Sequence, residues 1–468
     1  MSDIKSLMLP SEVNLDEYNA NSVPQEARVD TQYLLPNQIN DNSCRFVLNN
    51  AGILDMKNTK IVLQANCSSA NDLHVAYPMG TGVAALIDRA ILRFGSKVAC
   101  TSSNFGHYFN IVNWAFTSTD TKQNIDHYTY LTDNAFGVVA DATDSVWDGV
   151  GWLGANLSSA ADSNSGGLSQ IASLSNAGSN GSIPLSVLFP GFVSTDLPMY
   201  LIRDEVTVEI VWKQENGLPG ARAIVTDDSG SFTLTDPNPI DQSEIMLICD
   251  HVFFSNQRMN AIEDNFRQNG FNAFYSDIQS TNNILADATS TNSSRLNFKI
   301  GGAGKTIQSF VASNNASLNT AAVYRYAFGE YNSVACEDSK GFQITINNQN
   351  QLGIDPQNMN YAMMNNLLGS LYGNNYPEVP YSLYNELQPE GITDRTWNGQ
   401  ASYANMKGHQ SAIGMRFDDI KCRNIPIDLE LFRLSSTSGL VASNLYTFIT
   451  VKRMFSIDQA GRVAVSYS

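Results

Sequence analysis

Gly301 to Thr306 reads GGAGKT after the strand-like run LNFKI, and a glycine-rich turn ahead of Lys-Thr is the composition that cradles phosphate. That chemistry also needs a glycine separated by four residues from the Gly-Lys-Thr, and Lys299 stands there. It further needs a helix start, whose aligned amides bind the anion, and the following TIQSFVASNN is a poor helix former. A hairpin turn is therefore expected at GGAGKT. Asp141, Asp144 and Asp148 form a loose acidic cluster whose spacing fits no calcium loop, and a solvated turn is expected there. His74, His107, His127, His251 and His409 include no pair at metal-binding spacing. His107 is expected on a helix among aromatics. The chain has no Gly-x-Ser-x-Gly elbow and no cysteine set in a histidine context. The expected catalytic, cofactor-binding and metal-ligating residues are therefore none, and no cofactor is expected.

Cys44, Cys67, Cys100, Cys249, Cys336 and Cys422 contain no close pair, and several lie in apolar strand-like runs, which reads as free buried thiols in a reducing compartment. Asn-x-Ser sequons at Asn66, Asn156, Asn180, Asn292 and Asn315 are what an Asn/Ser-rich chain produces by chance. Trp147, Trp152 and Trp397 fall in loop-like sequence, and with the sequons they suggest the alternative of a β-sandwich glycan-binding or adhesin-type protein. The formal charge of −17 repels phosphate backbones, so no direct nucleic-acid binding is expected. No stretch approaches the length of a membrane span, and the opening MSDIKSLMLPSEV has no basic run before an apolar core; a soluble, unsecreted chain is expected.

The elements around these residues are strands. Residues 183 to 213 (IPLSVLFPGFVSTDLPMYLIRDEVTVEIVWK) form the most sharply patterned passage. Val206, Val208, Ile210 and Trp212 alternate with Thr207, Glu209, Val211 and Lys213, the period of a pleat with one buried face. Pro184, Pro190 and Pro198 allow one turn of helix at most, over Leu185 to Phe189. The turn-rich Asn216 to Gly220 reads as a boundary near mid-chain.

Taken in order, residues 1–30 are polar and aperiodic, an N-terminal arm of the kind that grips a neighbouring subunit. Strands are expected from Cys44 and over Lys60 to Cys67. Periodicity leaves Val83 to Phe94 open between helix and pleat, and the Gly95-Ser96 turn before KVACT decides for a hairpin of two strands. Ser102 to Phe116 suits a short amphipathic helix, and the small polar residues 154–182 an exposed loop. In the second half strands are expected at Ser231 to Leu234, Glu244 to Phe254, Arg295 to Ile300, Thr306 to Ala312, Ile425 to Leu434, Tyr446 to Arg453 and Val463 to Tyr467. Its one expected helix begins at Asp355-Pro356 and ends at Gly373.

Several of these passages, in this order, resemble the double jelly-roll major capsid proteins, the lineage of nucleocytoplasmic large DNA viruses, virophages and polinton-like viruses, with adenovirus hexon more distant. The similarity is carried by IPLSVLFPGF, Leu197-Pro198 and the strand from Asp204-Glu205-Val206, then by ICDHVFFSNQRMNAIE, LNFKIGGAGKTIQSFVA and finally Ser438-Gly439 with SNLYTFITV. The plug carries Leu188 and Phe189 where giant-virus members have Phe-Trp-Phe, so smaller-virus members match better. The resemblance implies an all-β fold, two tandem eight-stranded antiparallel β-sandwiches with short helices in long loops. It divides the chain into an arm (1–30), jelly roll 1 (31–218) and jelly roll 2 (219–468). It also implies a non-enzymatic subunit of a homotrimeric, pseudo-hexagonal capsomer in an icosahedral double-stranded DNA virus shell. Its partners are then itself, neighbouring capsomers, and penton and minor capsid proteins. Its location is the virion, after synthesis in host cytoplasm or nucleus.

Overall fold

The computed structural model describes residues 27–63, 74–76, 81–109, 181–190, 196–215, 218–219, 224–226, 242, 244–285, 292–299, 301–313, 339–350, 396–397, 401–402, 413–421, 426–433 and 443–467. The expected arm up to residue 26, the strand at Ser231 to Leu234 and the helix from Asp355 lie outside them.

Val206–Trp212 is a strand, here β7 in a count of the main sandwich strands, and it sits between two others in its sheet. Val206, Val208 and Ile210 are fully buried and Trp212 nearly so, as their alternation predicts. Burying four large apolar side chains contributes roughly 6–12 kcal/mol as an upper estimate, which holds the strand in register. Because β7 is central its second face is also covered. Thr207 is buried, and the half-buried Glu209 carboxylate receives Arg93 at 3.2 Å.

The first sandwich comprises β1 (Arg28–Leu34), β2 (Ser43–Leu48), β3 (Lys60–Leu63), β4 (Ile87–Phe94), β5 (Lys97–Ser103), β6 (Gly181–Pro184), β7 and β8 (Met246–Phe253). One sheet runs β1-β8-β3-β6 and the other β2-β7-β4-β5, with all these pairings antiparallel. Cys44 and Phe46 from one sheet and Ile61, Ile183 and Leu247 from the other meet in one buried core. The expected hairpin at Gly95-Ser96 joins β4 to β5. Two short helices lie where expected: α1 (Phe105–Phe109), which reaches the last described residue of its stretch, and α2 (Leu185–Leu188), which starts directly after Pro184.

The second sandwich repeats this order strand for strand. Its members are β9 (Phe271–Leu285), β10 (Asn292–Lys299), β11 (Ala303–Ser313), β12 (Ser339–Ile346), β13 (Gln349–Asn350), β14 (Ile413–Lys421), β15 (Pro426–Arg433) and β16 (Ser443–Ile457). Its sheets run β9-β16-β11-β14 and β10-β15-β12-β13. Adding eight to each label of the first sandwich reproduces both orders, so the fold is a tandem duplication of one eight-stranded antiparallel jelly roll. A further strand, β17 (Val463–Tyr467), pairs with the end of β16.

Three expectations need correction. The strand at Glu244 to Phe254, expected in jelly roll 2, is β8, and it hydrogen-bonds to β1 and β3 of the first sandwich. The turn at 216–220 therefore divides the last two strands of one sandwich instead of the two sandwiches. Residues 28–30, expected in the arm, begin β1, and residues 181–182, expected in the loop, begin β6. The third correction is α3 (Asn256–Asn269), a helix in a passage with no expected helix. It follows β8 and precedes β9, and its Ile262 packs with Ile53, Val252 and Phe254.

Val208→Asp tests the register of β7. A carboxylate without a partner at this fully buried site is expected to cost roughly 4 kcal/mol or more and to remove the soluble folded protein. A soluble variant with near-normal thermal unfolding contradicts the placement.

Candidate functional site

The residues singled out for chemistry separate in the structure. GGAGKT is a turn running into β11, but the hairpin expected there does not form: β10 pairs with β15, and β11 pairs with β16 and β14 of the other sheet. Thr306 lies opposite Thr450 of β16, and the Lys305 ammonium donates to Ser276 Oγ at 3.3 Å. The glycines have a packing cause: a Cβ on Gly301 would lie 3.1 Å from the Tyr467 ring, and one on Gly302 3.2 Å from it. His107 is buried on α1 and stacks on Tyr446 with ring centroids 3.9 Å apart, among aromatics as expected. His251 is buried in β8, and its Nδ1–H donates to the Ala51 carbonyl at 2.7 Å. Burial holds its imidazole below the usual histidine range. Cys44, Cys100 and Cys249 are buried free thiols. Burial pushes all three upward, Cys249 to about 12, so they stay protonated and inert. His74 pairs with Thr226 in a short ladder, Asn292 opens β10, and Trp397 lies on a two-residue strand. Asp141, Asp144, Asp148, His127, His409, Cys67, Cys336, Cys422, Trp147, Trp152 and the sequons at Asn66, Asn156, Asn180 and Asn315 lie outside the described residues. Among the described residues no group of three metal-ligating side chains comes together, and no helix is long and apolar enough to cross a membrane.

The described residues instead converge on the seam between the two sandwiches. Strand β5 forms one edge of its sheet and β9 one edge of its own, and the two edges lie side by side. The Tyr275 hydroxyl donates to the Ala99 carbonyl at 2.6 Å, the Thr101 amide meets Asp277 Oδ1 at 3.4 Å, and Asn104 Nδ2 meets Ser280 Oγ at 3.3 Å. Each pair is 176 residues apart in sequence, so the strands run in the same direction in fixed register. Between them lies Arg453 of β16. Its guanidinium donates to Asp277 Oδ2 at 2.8 Å, to the Ala99 carbonyl at 2.6 Å and to the Val98 carbonyl at 3.3 Å, and it lies 4.7 Å from the Tyr467 ring centroid. The Arg453 and Asp277 side chains are only 11 % and 8 % exposed. Burial pushes the Asp277 carboxyl upward, and the guanidinium and amide donors oppose that shift.

Apolar contacts and a second set of hydrogen bonds close the seam. Phe455 packs on Phe94 of the first sandwich at 5.0 Å and on Phe271 at 5.9 Å between ring centroids. The turn before β17 reaches back: Val463 N–H donates to Asp204 Oδ2 at 2.9 Å, Lys97 donates to the Val463 carbonyl, and Arg203 N–H donates to the Gly461 carbonyl at 2.9 Å. Gly461 holds φ +79° there, and a Cβ would meet the Leu201 carbonyl at 2.8 Å. Sequence reasoning missed Arg453, Asp277 and Tyr275. An arginine inside a strand-like run reads as a solvated face, and a register constant over 176 residues leaves no local mark.

Arg453→Met leaves a buried carboxylate without its cation and is expected to cost about 3–5 kcal/mol in urea unfolding. Replacing both partners, Arg453→Met with Asp277→Leu, is expected to recover much of that loss. A single variant within about 0.5 kcal/mol of the wild type would mean that the pair does not hold the seam.

No protein-family profile matches the chain, and no curated protein matches it. Solved structures do match along nearly its whole length. A chain of the PBCV-1 virus capsid is 13 % identical with a TM-score of 0.55, covering 95 % of this chain and 98 % of that one. The Sputnik virophage structure matches at 11 % identity and TM-score 0.51, over 98 % and 92 %. The mavirus major capsid protein matches at 9 % identity and TM-score 0.50, over 100 % and 93 %. Two like-ordered sandwiches joined edge to edge, together with matches that span both, give the chain the double jelly-roll fold of these viral capsid proteins.

Proposed function

We propose that this protein is a major capsid protein, the structural subunit of trimeric, pseudo-hexagonal capsomers in an icosahedral double-stranded DNA virus shell. The observation that carries the reading is the seam: two sandwiches of one strand order are fixed edge to edge by a buried ion pair and an aromatic cluster. A shell tile needs such a rigid double unit, because its work is done by interfaces whose geometry must not drift. An enzyme would need a cleft with convergent titratable groups. The seam has convergent groups, but they are spent on one another in a filled interface.

On this reading the partners are further copies of the chain, neighbouring capsomers, and penton and minor capsid proteins. The protein resides in the virion after synthesis in host cytoplasm or nucleus. The charge of −17 fits contacts made through protein surfaces instead of the packaged nucleic acid. The domain limits that best suit the strand pairing are 28–253 for the first jelly roll and 271–467 for the second, with α3 between them.

Purified protein is expected to have a native mass three times the 51.2 kDa of one chain, and to stay silent on a glycan array. A stable monomer that does not assemble on concentration contradicts the capsid reading. Selective glycan binding by such a monomer favours the adhesin-type alternative.

A further inference from the structure

We propose that His251 is an acid-sensitive latch on β1: its imidazole is neutral while β1 is docked on β8, and uptake of a proton from solvent loosens β1 from the first sandwich. The inference stands apart from the capsid reading, because it concerns a single chain.

Strand β8 presents a histidine where its neighbours on the same face are apolar. Leu247, Cys249 and His251 alternate onto the core side of the strand, and all three are 0 % exposed. Asp30 of β1 lies opposite His251 on one side and Leu54 on the other. The Ala51 carbonyl, 2.7 Å from Nδ1, can only accept, so the proton of the neutral ring sits on Nδ1. Nε2 then carries a lone pair, and it is buried with no partner among the described residues.

An unpartnered lone pair is a modest cost, whereas a buried cation with an unpartnered N–H is a large one. A second proton would enter at Nε2, in a site sealed from water with no acceptor in place. Among the described residues the charges that bear on the ring are Asp250, next to it on β8, and Asp30 across on β1. Both favour the imidazolium, and both are engaged elsewhere. Asp30 accepts from Arg28 at 2.7 Å, and Asp250, whose side chain alternates to the opposite face of β8, accepts from Thr31 at 2.7 Å. Leu54 and Ala51 bring no charge. Burial outweighs the two acids and holds the ring below the usual histidine range.

Strand β1 is the element that such a charge releases. It pairs with β8 over all seven residues, it is the edge of its sheet, and none of its side chains is buried. Beyond the ladder, Leu34 packs partly on the core and Gln32 accepts from Asn49 at 2.6 Å. An edge strand held in this way opens at a lower free energy than the sandwich unfolds. With β1 away, β8 becomes the edge, water reaches the ring, and the ring takes its ordinary value of 6.5. The open form then binds the proton more tightly than the docked form. Docking of β1 is therefore favoured above that value and loses ground as pH falls below it, until the docked ring itself titrates.

Hydrogen exchange on the full chain tests this, read by mass spectrometry at about pH 7.5 and about pH 5, with rates corrected for the intrinsic effect of pH. Opening of residues 28–34 is expected to rise at least about threefold and at most about 30-fold in acid, the ceiling for one proton on an ordinary histidine. Residues 206–212 of β7 are expected to change less than about twofold, and so is β1 in His251→Asn, whose amide can still donate to Ala51. Deuterium uptake at imidazole Cε1 in the wild type reports the titration of His251 itself, so the test does not depend on that variant folding. Loosening of β1 must set in above the His251 midpoint and level off below it. A smaller rise in β1, acid loosening shared equally by β7 or retained in His251→Asn, or loosening that ignores the His251 midpoint overturns the latch. Each of these results leaves the capsid reading standing, since native mass decides that separately.

Discussion

The Arg453 guanidinium lies between the two sandwiches, and its needs constrain everything around it. A buried cation is tolerated only when its charge is matched and its N–H groups find acceptors. Its Nε has no partner, but Arg453 matches its charge with one carboxylate and satisfies its terminal N–H groups with that carboxylate and two backbone carbonyls, and the carbonyls belong to the other sandwich. They are presented only if β5 lies against β9 in the observed register. A slide of one residue would replace carbonyl oxygens with amide groups and side chains. The pair's net contribution to stability is modest, because burying both charges costs nearly what their attraction returns. Its larger effect is to make one arrangement of the two sandwiches far better than its neighbours.

The two halves differ in the length of their strands. Strands β9 and β16 are 15 residues long each, whereas their counterparts β1 and β8 have 7 and 8. The end of this strand pair nearest β17 carries Tyr275, Asp277, Arg453 and Phe455 along the edge of the first sandwich. Strand β17 pairs with the end of β16 and places Tyr467 over Arg453. The glycines of GGAGKT are then required by the ring of Tyr467, so a string suggestive of phosphate chemistry is shaped by the seam. Two jelly rolls that would otherwise be joined by α3 alone become a single body. Rigidity of that kind is what the proposed trimer would need to present six similar faces.

What could be read from the sequence follows from which physical signals are local. Residues 206–212 alternate strictly because one face is buried, and β7 was legible in place and orientation. The proline before α2 and the glycine turn before β5 are equally local, and both elements stood where expected. The partner of a strand is not a local property. The run ending ICDHVF announces a strand through its apolar residues, but nothing in it says that it pairs with β1, more than 200 residues earlier, so its sandwich was misassigned. Helix α3 escaped because it covers little core: only Ile262 and Phe266 are buried in a polar fourteen-residue stretch. The seam was illegible for the same reason as β8. Arg453 and Asp277 look like solvated strand residues until the fold brings them within 2.8 Å.

The central claim is that the seam makes each chain a rigid pair of like sandwiches, and that three such pairs close a ring. Electron-microscopy class averages of the purified protein test it most directly. The account predicts a closed particle of six lobes with three-fold symmetry and a hexagonal outline. Averages showing isolated two-lobed particles, or open chains of them, would contradict it.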